Sequence, residues 1–431
     1  MIPPGMTDDR AGLAARKAAL TILTQVLRQR RPLDTQLEPL KNLPPRDAGF
    51  ARALASQSLR HFGELDALIR HCVPKPLAPH KAGPAMEILL LGACELLILK
   101  VPAHAAVDAA NNLAAADGNA LHFKSLINAV LRRIAREGES LRAGLDAARL
   151  DTPDWLWSRW NAQYGEEITH AIAQAHGKEA PLDICLKQKD VNQPETAPLF
   201  GLARRVKSEG RVEELPGFAE GGWWVQDAAA TLPVALLGDV AGKKVIDLCA
   251  APGSKTLQLA AMGADVSAVE IDPGRAGRLR ENLTRTGLSA AVIESDARDF
   301  SGTAPLVLLD APCTATGTIR RHPDLPWIKG AADVMAQASL AYELLESAAR
   351  MVEEGGLLVF AVCSLENEEG EEQIAAFLSG HREFRHELVE PGEIFGHADW
   401  LSPQGDLRTL PRHLADRGGM DGFYAAKLRR L

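Results

Sequence analysis

Residues 244–256 read KVIDLCAAPGSKT, and the fold turns on what this stretch is. Its first half is an apolar run of strand length, and Cys249 to Gly253 form a tight turn into a helical pattern from Lys255 onward. The turn is not the GxGxxG dinucleotide fingerprint, nor a P-loop, because GxxxxGK[ST] is absent. Strand and helix then alternate. DVSAVEI (265–271), AAVIES (290–295), PLVLLDA (305–311) and GLLVFAVC (356–363) are further strands, and helices fit at 255–262, 274–287 and 331–354. This alternation predicts an α/β domain with a doubly wound parallel sheet, where ligands bind beyond the carboxyl ends of the strands.

Each strand would deliver a polar or reactive group to that rim. The first leads into Cys249-Ala250-Ala251-Pro252-Gly253-Ser254-Lys255, and the second ends at Glu270. Asp296 follows the third, Asp310 and Cys313 follow the fourth, and Cys363 follows the fifth. An acidic group after the second strand suits ribose hydroxyls, and a carboxylate at Asp296 can accept from an adenine amino group, so the set suggests an adenosyl ligand without a pyrophosphate. Taken alone, Glu270 or Asp272 reads more simply as a helix N-cap. The series as a whole is harder to reduce to capping.

The segment VLLDAPCTATG (307–317) leaves three readings of Cys313 open: nucleophile, metal ligand, or small hydrophobe at a strand end. Cys363, in LLVFAVCSLENEEG (357–370), poses the same choice. The six cysteines (72, 94, 185, 249, 313 and 363) show no CxxC and no Cys/His pairing at zinc spacing. No metal is therefore expected, and in a reducing compartment all six are expected to be free thiols.

A chain of 431 residues is long enough for two or three domains, and 46% hydrophobic with 24% charged residues is the composition of a soluble globular protein. No apolar run reaches a membrane span, and MIPPGMTDDR lacks a signal-peptide pattern, so a cytoplasmic protein without membrane contact is expected. Charge is uneven. Residues 1–140 carry 18 Lys and Arg against 13 Asp and Glu, a net of +5, which leaves 30 against 43, or −13, for the remainder of a chain at −8. A basic binding face on the first third is compatible with that asymmetry.

The first third reads as helices only, in LAARKAALTILTQVL, DAGFARALASQSLRHFGELDALIRHC, AMEILLLGACELLILK and KSLINAVLRRIARE, punctuated by Pro44, Pro45, Pro74, Pro76, Pro79 and Pro102. Such a bundle also suits a scaffold or oligomerisation role, and Arg132, Arg133 and Arg136 on its last helix suit a solvated face as well as a binding one. TPDWLWSRWNAQYG predicts a helix with Thr152 as N-cap and tryptophans used for packing. PLDICLKQ, ARRVKS and WWVQD predict short strands. The expected domains are thus an all-helical unit over 1–142, a small α+β connector over 143–225 and the sheet domain over 226–431.

DLCAAPGSKT (247–256), LDAPCTATGTIRRHPD (309–324) and FAVCSLENEE (360–369) closely resemble the motifs of the S-adenosylmethionine-dependent RNA cytosine-C5 methyltransferases, best the bacterial Sun/RsmB class acting on small-subunit ribosomal RNA. The helical first third is similar to the NusB-type RNA-binding domain of that class. The resemblance implies a class I, Rossmann-like methyltransferase domain behind a NusB-like domain. It implies that Cys249 through Lys255 face the methionine and ribose of S-adenosylmethionine, Glu270 the ribose and Asp296 the adenine, with Asp310 bordering cofactor and target base. It further implies that Cys363 is the nucleophile and that Cys313 assists product release. The implied partner is small-subunit ribosomal RNA, and a monomer is expected.

The chemistry supplies its own reason for two thiols. Cytosine C5 is a poor nucleophile until a thiolate adds at C6, and covalent addition divides a hard step into easier ones. An acid at N3, for which Asp310 is the candidate, would assist the addition. After methyl transfer the C5 proton must leave before the first thiol is expelled, so a second group has a task. A thiol needs a lowered pKa to serve as thiolate, and Lys255, Arg320 and Arg321 are candidates for that field or for RNA phosphates. Cys249 also reads as a small residue lending its backbone to the turn. The target cytosine must be single-stranded or flipped, with His322, Pro323 and Asp324 at its entrance or in a rigid turn. Gly418 and Gly419 could shape a loop near the site. Three departures from the family pattern, Ser254 for Gly, Thr314 for Ser and Val362 for Thr, leave the reactive groups intact. Competing readings are the same chemistry on transfer RNA or another ribosomal cytosine, a non-catalytic RNA-binding assembly factor, and a cysteine hydrolase, which needs a histidine near the thiol.

Overall fold

The computed structural model describes residues 9–431 other than positions 74, 76, 78 and 209, so residues 1–8, Pro74 and Pro76 lie outside the described residues. The chain forms two compact units, one running to Lys178 and including residues 319–330, the other made of residues 179–318 and 331–431.

The first unit is helical. Helix Ala85–Leu97 is buried on nearly every side, with Ile88, Leu89, Leu90 and Leu91 in the core and its Glu87 and Glu95 paired with Arg28 and Arg16, as befits the central helix of a bundle. Around it lie Asp9–Gln29, Pro45–Arg60, Phe62–Cys72, Ala103–Ala115 and Lys124–Arg142. The pattern over 47–72 reads as one helix, but the chain breaks at His61 into two. Gly63 then passes so close to Leu150 that a Cβ would lie 1.8 Å from its carbonyl oxygen. Helix Ala103–Ala115 adds to the helices expected from periodicity, because an alanine-rich segment gives little hydrophobic contrast to read. Thr152 is not the N-cap of helix Asp154–Tyr164. That position falls to Pro153, and the Thr152 hydroxyl donates instead to the Ala148 carbonyl at 2.9 Å. Trp160 is fully buried, in keeping with a packing role.

Residues 319–330 belong to this helical unit although they come after the Asp-Ala-Pro-Cys motif in the chain. Trp327 lies against Phe62, with ring centroids 4.6 Å apart, and its indole donates to Leu59 O. Asp324 accepts from Leu33 N at 2.9 Å, and Arg60 donates to Arg320 O at 2.8 Å.

The second unit holds two sheets. A small antiparallel one contains β1 (Asp183–Leu186), β2 (Thr196–Pro198), β3 (Ala203–Val206) and β4 (Trp223–Val225), in the order β2-β3-β1-β4. Of these only β2 has no counterpart among the strands expected from sequence. The large sheet is built from β5 (Lys244–Leu248), β6 (Asp265–Glu270), β7 (Ala291–Glu294), β8 (Ala304–Asp310), β9 (Val352–Val362), β10 (Phe384–Glu387), β11 (Leu407–Thr409) and β12 (Phe423–Arg430). Its order is β10-β12-β9-β8-β5-β6-β7, with β11 also on β12. The five strands from β9 to β7 are parallel, as the alternation predicts, while β10, β11 and β12 pair antiparallel. Near-continuous apolar strands fill the core, with Val307, Leu308, Leu309, Val359 and Phe360 all at 0% exposure. Register aligns Leu248 with Val269 and Leu309, and Asp310 with Ala361, so the strands end at one level.

Candidate active site

At the end of β5 the chain turns sharply. Cys249 has φ +59° and Gly253 φ +109°, and a Cβ at Gly253 would lie 2.3 Å from Leu279 Cδ1, so this position tolerates only glycine. Helix Ser254–Ala261 starts directly afterwards. Glu270, almost fully buried, braces the turn by accepting from Ala251 N at 3.1 Å and Asp272 N at 3.0 Å. Asp272 is the N-cap of the next helix, accepting from Arg275 N at 2.7 Å. Asp296 accepts from the Arg298 backbone at 2.8 Å and its guanidinium at 2.7 Å, and these bonds hold its carboxyl below the usual range.

The two strand-end cysteines meet. Cys313 Sγ and Cys363 Sγ are 3.5 Å apart, both partly accessible, and all six cysteines are free. Lys255, on the first turn of its helix, crosses the rim and donates to Asp310 Oδ2 at 2.7 Å, with its ammonium 5.2 Å from the centre of the Phe423 ring. Burial opposes the Lys255 cation, but the Asp310 charge and hydrogen bond, with help from Cys363 and Asp247, outweigh it and raise its pKa. The Cys313 thiol is pushed well above the ordinary range by its bond to Cys363, by burial and by the charges of Cys363 and Glu369. Burial takes Cys249 up to about 12, as suits a neutral residue lending its backbone to the turn.

Arg320 is buried within the helical unit, and His322 pairs with Asp34 at 3.2 Å in that same unit. Of the three cations that the sequence offers for the thiolate field, Lys255 stands on the rim of the sheet unit, whereas Arg320 and Arg321 belong to the helical unit. Gly418 and Gly419 both take positive φ, and the segment they open leads to Gly422, whose N–H donates to Gly317 O at 2.8 Å four residues after Cys313. Sequence reading missed the residues behind the thiols. Glu369, Thr316, Ser364 and Arg408 are all buried there, and the only trace of Glu369 in the sequence is a cluster of five glutamates over 366–372, which does not say which one turns inward.

A mixed sheet of this order, with its polar groups gathered at the ends of the parallel strands, is the Rossmann-like fold of a methyltransferase. The sequence matches the family 16S rRNA methyltransferase RsmB/F over residues 234–429 and the NusB family over 13–136. It is 36% identical to ribosomal RNA small subunit methyltransferase B of Pseudomonas putida, over 96% of this chain and 98% of that one. The protein of that name from Vibrio cholerae is 34% identical over 96% of each. Among solved structures, PH0851 superposes with a TM-score of 0.76 at 24% identity, covering 100% of this chain and 99% of that one. NSun6 from Pyrococcus horikoshii, solved with SFG, gives 0.52 at 18% identity over 64% of this chain and 98% of that one. The chain belongs to the RsmB/F family of S-adenosylmethionine-dependent rRNA methyltransferases.

Proposed function

We propose that the protein methylates C5 of a cytosine in small-subunit ribosomal RNA through a covalent adduct between Cys363 and C6. The observation that carries this reading is the pair of thiols 3.5 Å apart beside the Lys255–Asp310 ion pair. When bound, S-adenosylmethionine supplies an electrophilic methyl group. The rim suits it: the Cys249–Gly253 turn offers backbone, Glu270 keeps lone pairs for ribose hydroxyls, and Asp296 presents a carboxylate for the adenine amino group.

Cys363 attacks as thiolate, with the Cys313 S–H donating to it across 3.5 Å and the Lys255 ammonium on the same rim. As the C6–S bond forms, negative charge builds on N3. Asp310 relays a proton to N3 from Lys255, which donates to it across a 2.7 Å bond. With the methyl group in place, the C5 proton must go to a base. Once Cys363 is alkylated and no longer holds the Cys313 proton, that proton passes to solvent, and the Cys313 thiolate beside the adduct takes the C5 proton while N3 returns its own through Asp310 to Lys255. Loss of the C5 proton restores the C5–C6 double bond and expels the Cys363 thiolate.

The target base reaches these thiols single-stranded or flipped from its helix. The helical region acts as an RNA-binding domain, and the protein works as a monomer in the cytoplasm. The test separates the thiols. Cys363→Ala should abolish methylation and any adduct, whereas Cys313→Ala should accumulate a protein–RNA band on a denaturing gel. The band in Cys363→Ala alone would reverse the roles, and full activity in both variants would end the covalent reading.

A further inference from the structure

Behind the two thiols lies a buried carboxylate that takes no proton and forms no bond in the covalent cycle. Glu369, at 0% exposure, sits in the short turn Asn367–Glu369 after β9. Its Oε1 accepts from Thr314 N at 2.7 Å and its Oε2 from Thr314 Oγ1 at 2.6 Å. The same Oε2 accepts from the Ser364 hydroxyl. Thr314 follows Cys313, and Ser364 follows Cys363. One carboxylate therefore ties together the residues that adjoin both thiols.

The joint is reinforced on each side. Thr316 Oγ1 lies 3.3 Å from Ser364 Oγ and accepts from Leu365 N at 2.9 Å, and Gly317 N donates to Cys363 O at 3.0 Å. Arg408 donates to Ser364 O at 2.5 Å and is itself held by Glu371. Burying a carboxylate among neutral donors is costly unless its hydrogen bonds are complete. Among the described residues Glu369 has three such donors, all from the two cysteine-bearing loops.

We infer that Glu369 is a positioning residue which sets the Cys313–Cys363 spacing by clamping Thr314 and Ser364 to a single point. The inference rests on the covalent reading for its use in catalysis, but the clamp itself is geometry. It also accounts for threonine at 314 in place of the family's frequent serine, since either hydroxyl makes the same bond to Oε2.

Two measurements test it on the full chain. The first is the rate at which diamide, a thiol oxidant, joins Cys313 to Cys363. The thiols form one S–S bond, and diamide takes up the two electrons and two protons as the hydrazine. The linked peptide is counted by mass spectrometry. The second is kcat for methyl transfer beside the Kd for S-adenosylmethionine. Glu369→Ala should slow disulfide formation about tenfold and kcat about a hundredfold, the scale of a 1 Å misplacement, with Kd within about twofold of wild type. Glu369→Gln should recover most of both rates, because its carbonyl accepts from Thr314 N while both hydroxyls can turn to accept from the amide. Should Glu369→Ala fail to fold, Thr314→Val and Ser364→Ala each remove one bond and should slow both rates in part. Wild-type oxidation rates in the folded variants would overturn the inference. The oxidation rate reads thiol spacing whether or not Cys363 attacks the base, so loss of the covalent reading, seen as full activity in both cysteine variants, is told apart from loss of this one.

Discussion

Asp247 gives the sharpest quantitative check on the site's electrostatics. It lies at 0% exposure in β5, its Oδ2 accepts from Thr256 Oγ1 at 2.5 Å, and its Oδ1 has no hydrogen-bond partner among the described residues. Burial, with the nearby Asp310 and Glu270 charges, pushes its carboxyl up to about 7 against the opposing effects of Thr256 and Lys255. An unfolded aspartate titrates near about 3.9. Between those values the native state holds a proton that the unfolded chain has lost, so the Asp247 contribution is complete below about pH 4 and declines until about pH 7. From pH 5 to 7 the loss is about 1.4 kcal/mol per pH unit, or about 2 to 3 kcal/mol in all. Asn at this position cannot ionise, and its carbonyl still accepts from Thr256. The Tm of Asp247→Asn minus that of wild type, read by intrinsic fluorescence, should therefore grow by about 5 to 10 °C between pH 5 and pH 8 for a unit of this size. A difference that stays constant across that range would refute the assignment of a neutral Asp247.

Two more outcomes bear on binding. Glu270→Ala and Asp296→Ala should each weaken S-adenosylmethionine binding about tenfold, and calorimetric titration showing wild-type affinity in both would remove those residues from the adenosine site. RNA affinity should fall steeply with rising salt despite the overall charge of −8, and Arg132→Gln with Arg136→Gln should flatten the slope by about one for each phosphate no longer neutralised. An unchanged slope would mark that helix face as merely solvated.

The strands of the parallel sheet were legible because each is a short apolar run closed by a turn, and buried parallel strands need little else. So were Asp310, Cys313 and Cys363, which lie within a few residues of where those runs stop. The short strands β2, β10 and β11 were not, since three or four residues beside a longer partner carry almost no periodic signal. The break at His61 and the helix over Ala103–Ala115 escaped as well: the first lies inside a continuous apolar pattern, and the second is built of alanines that pack well but read as neutral.

The sequence by itself determined which groups reach the rim, because the length of each apolar run decides which residues stand just past its carboxyl end. Only the tertiary structure decided how those groups pair. Parallel register between β8 and β9 brings Cys313 to 3.5 Å from Cys363 across 50 residues of chain, the crossing of Lys255 to Asp310 spans 55, and Glu369 closes on Thr314 across another 55. Residues 319–330 come after the cysteine motif in sequence yet pack with the helical unit. Contacts of such separation are set by how layers pack, and local pattern carries no record of that.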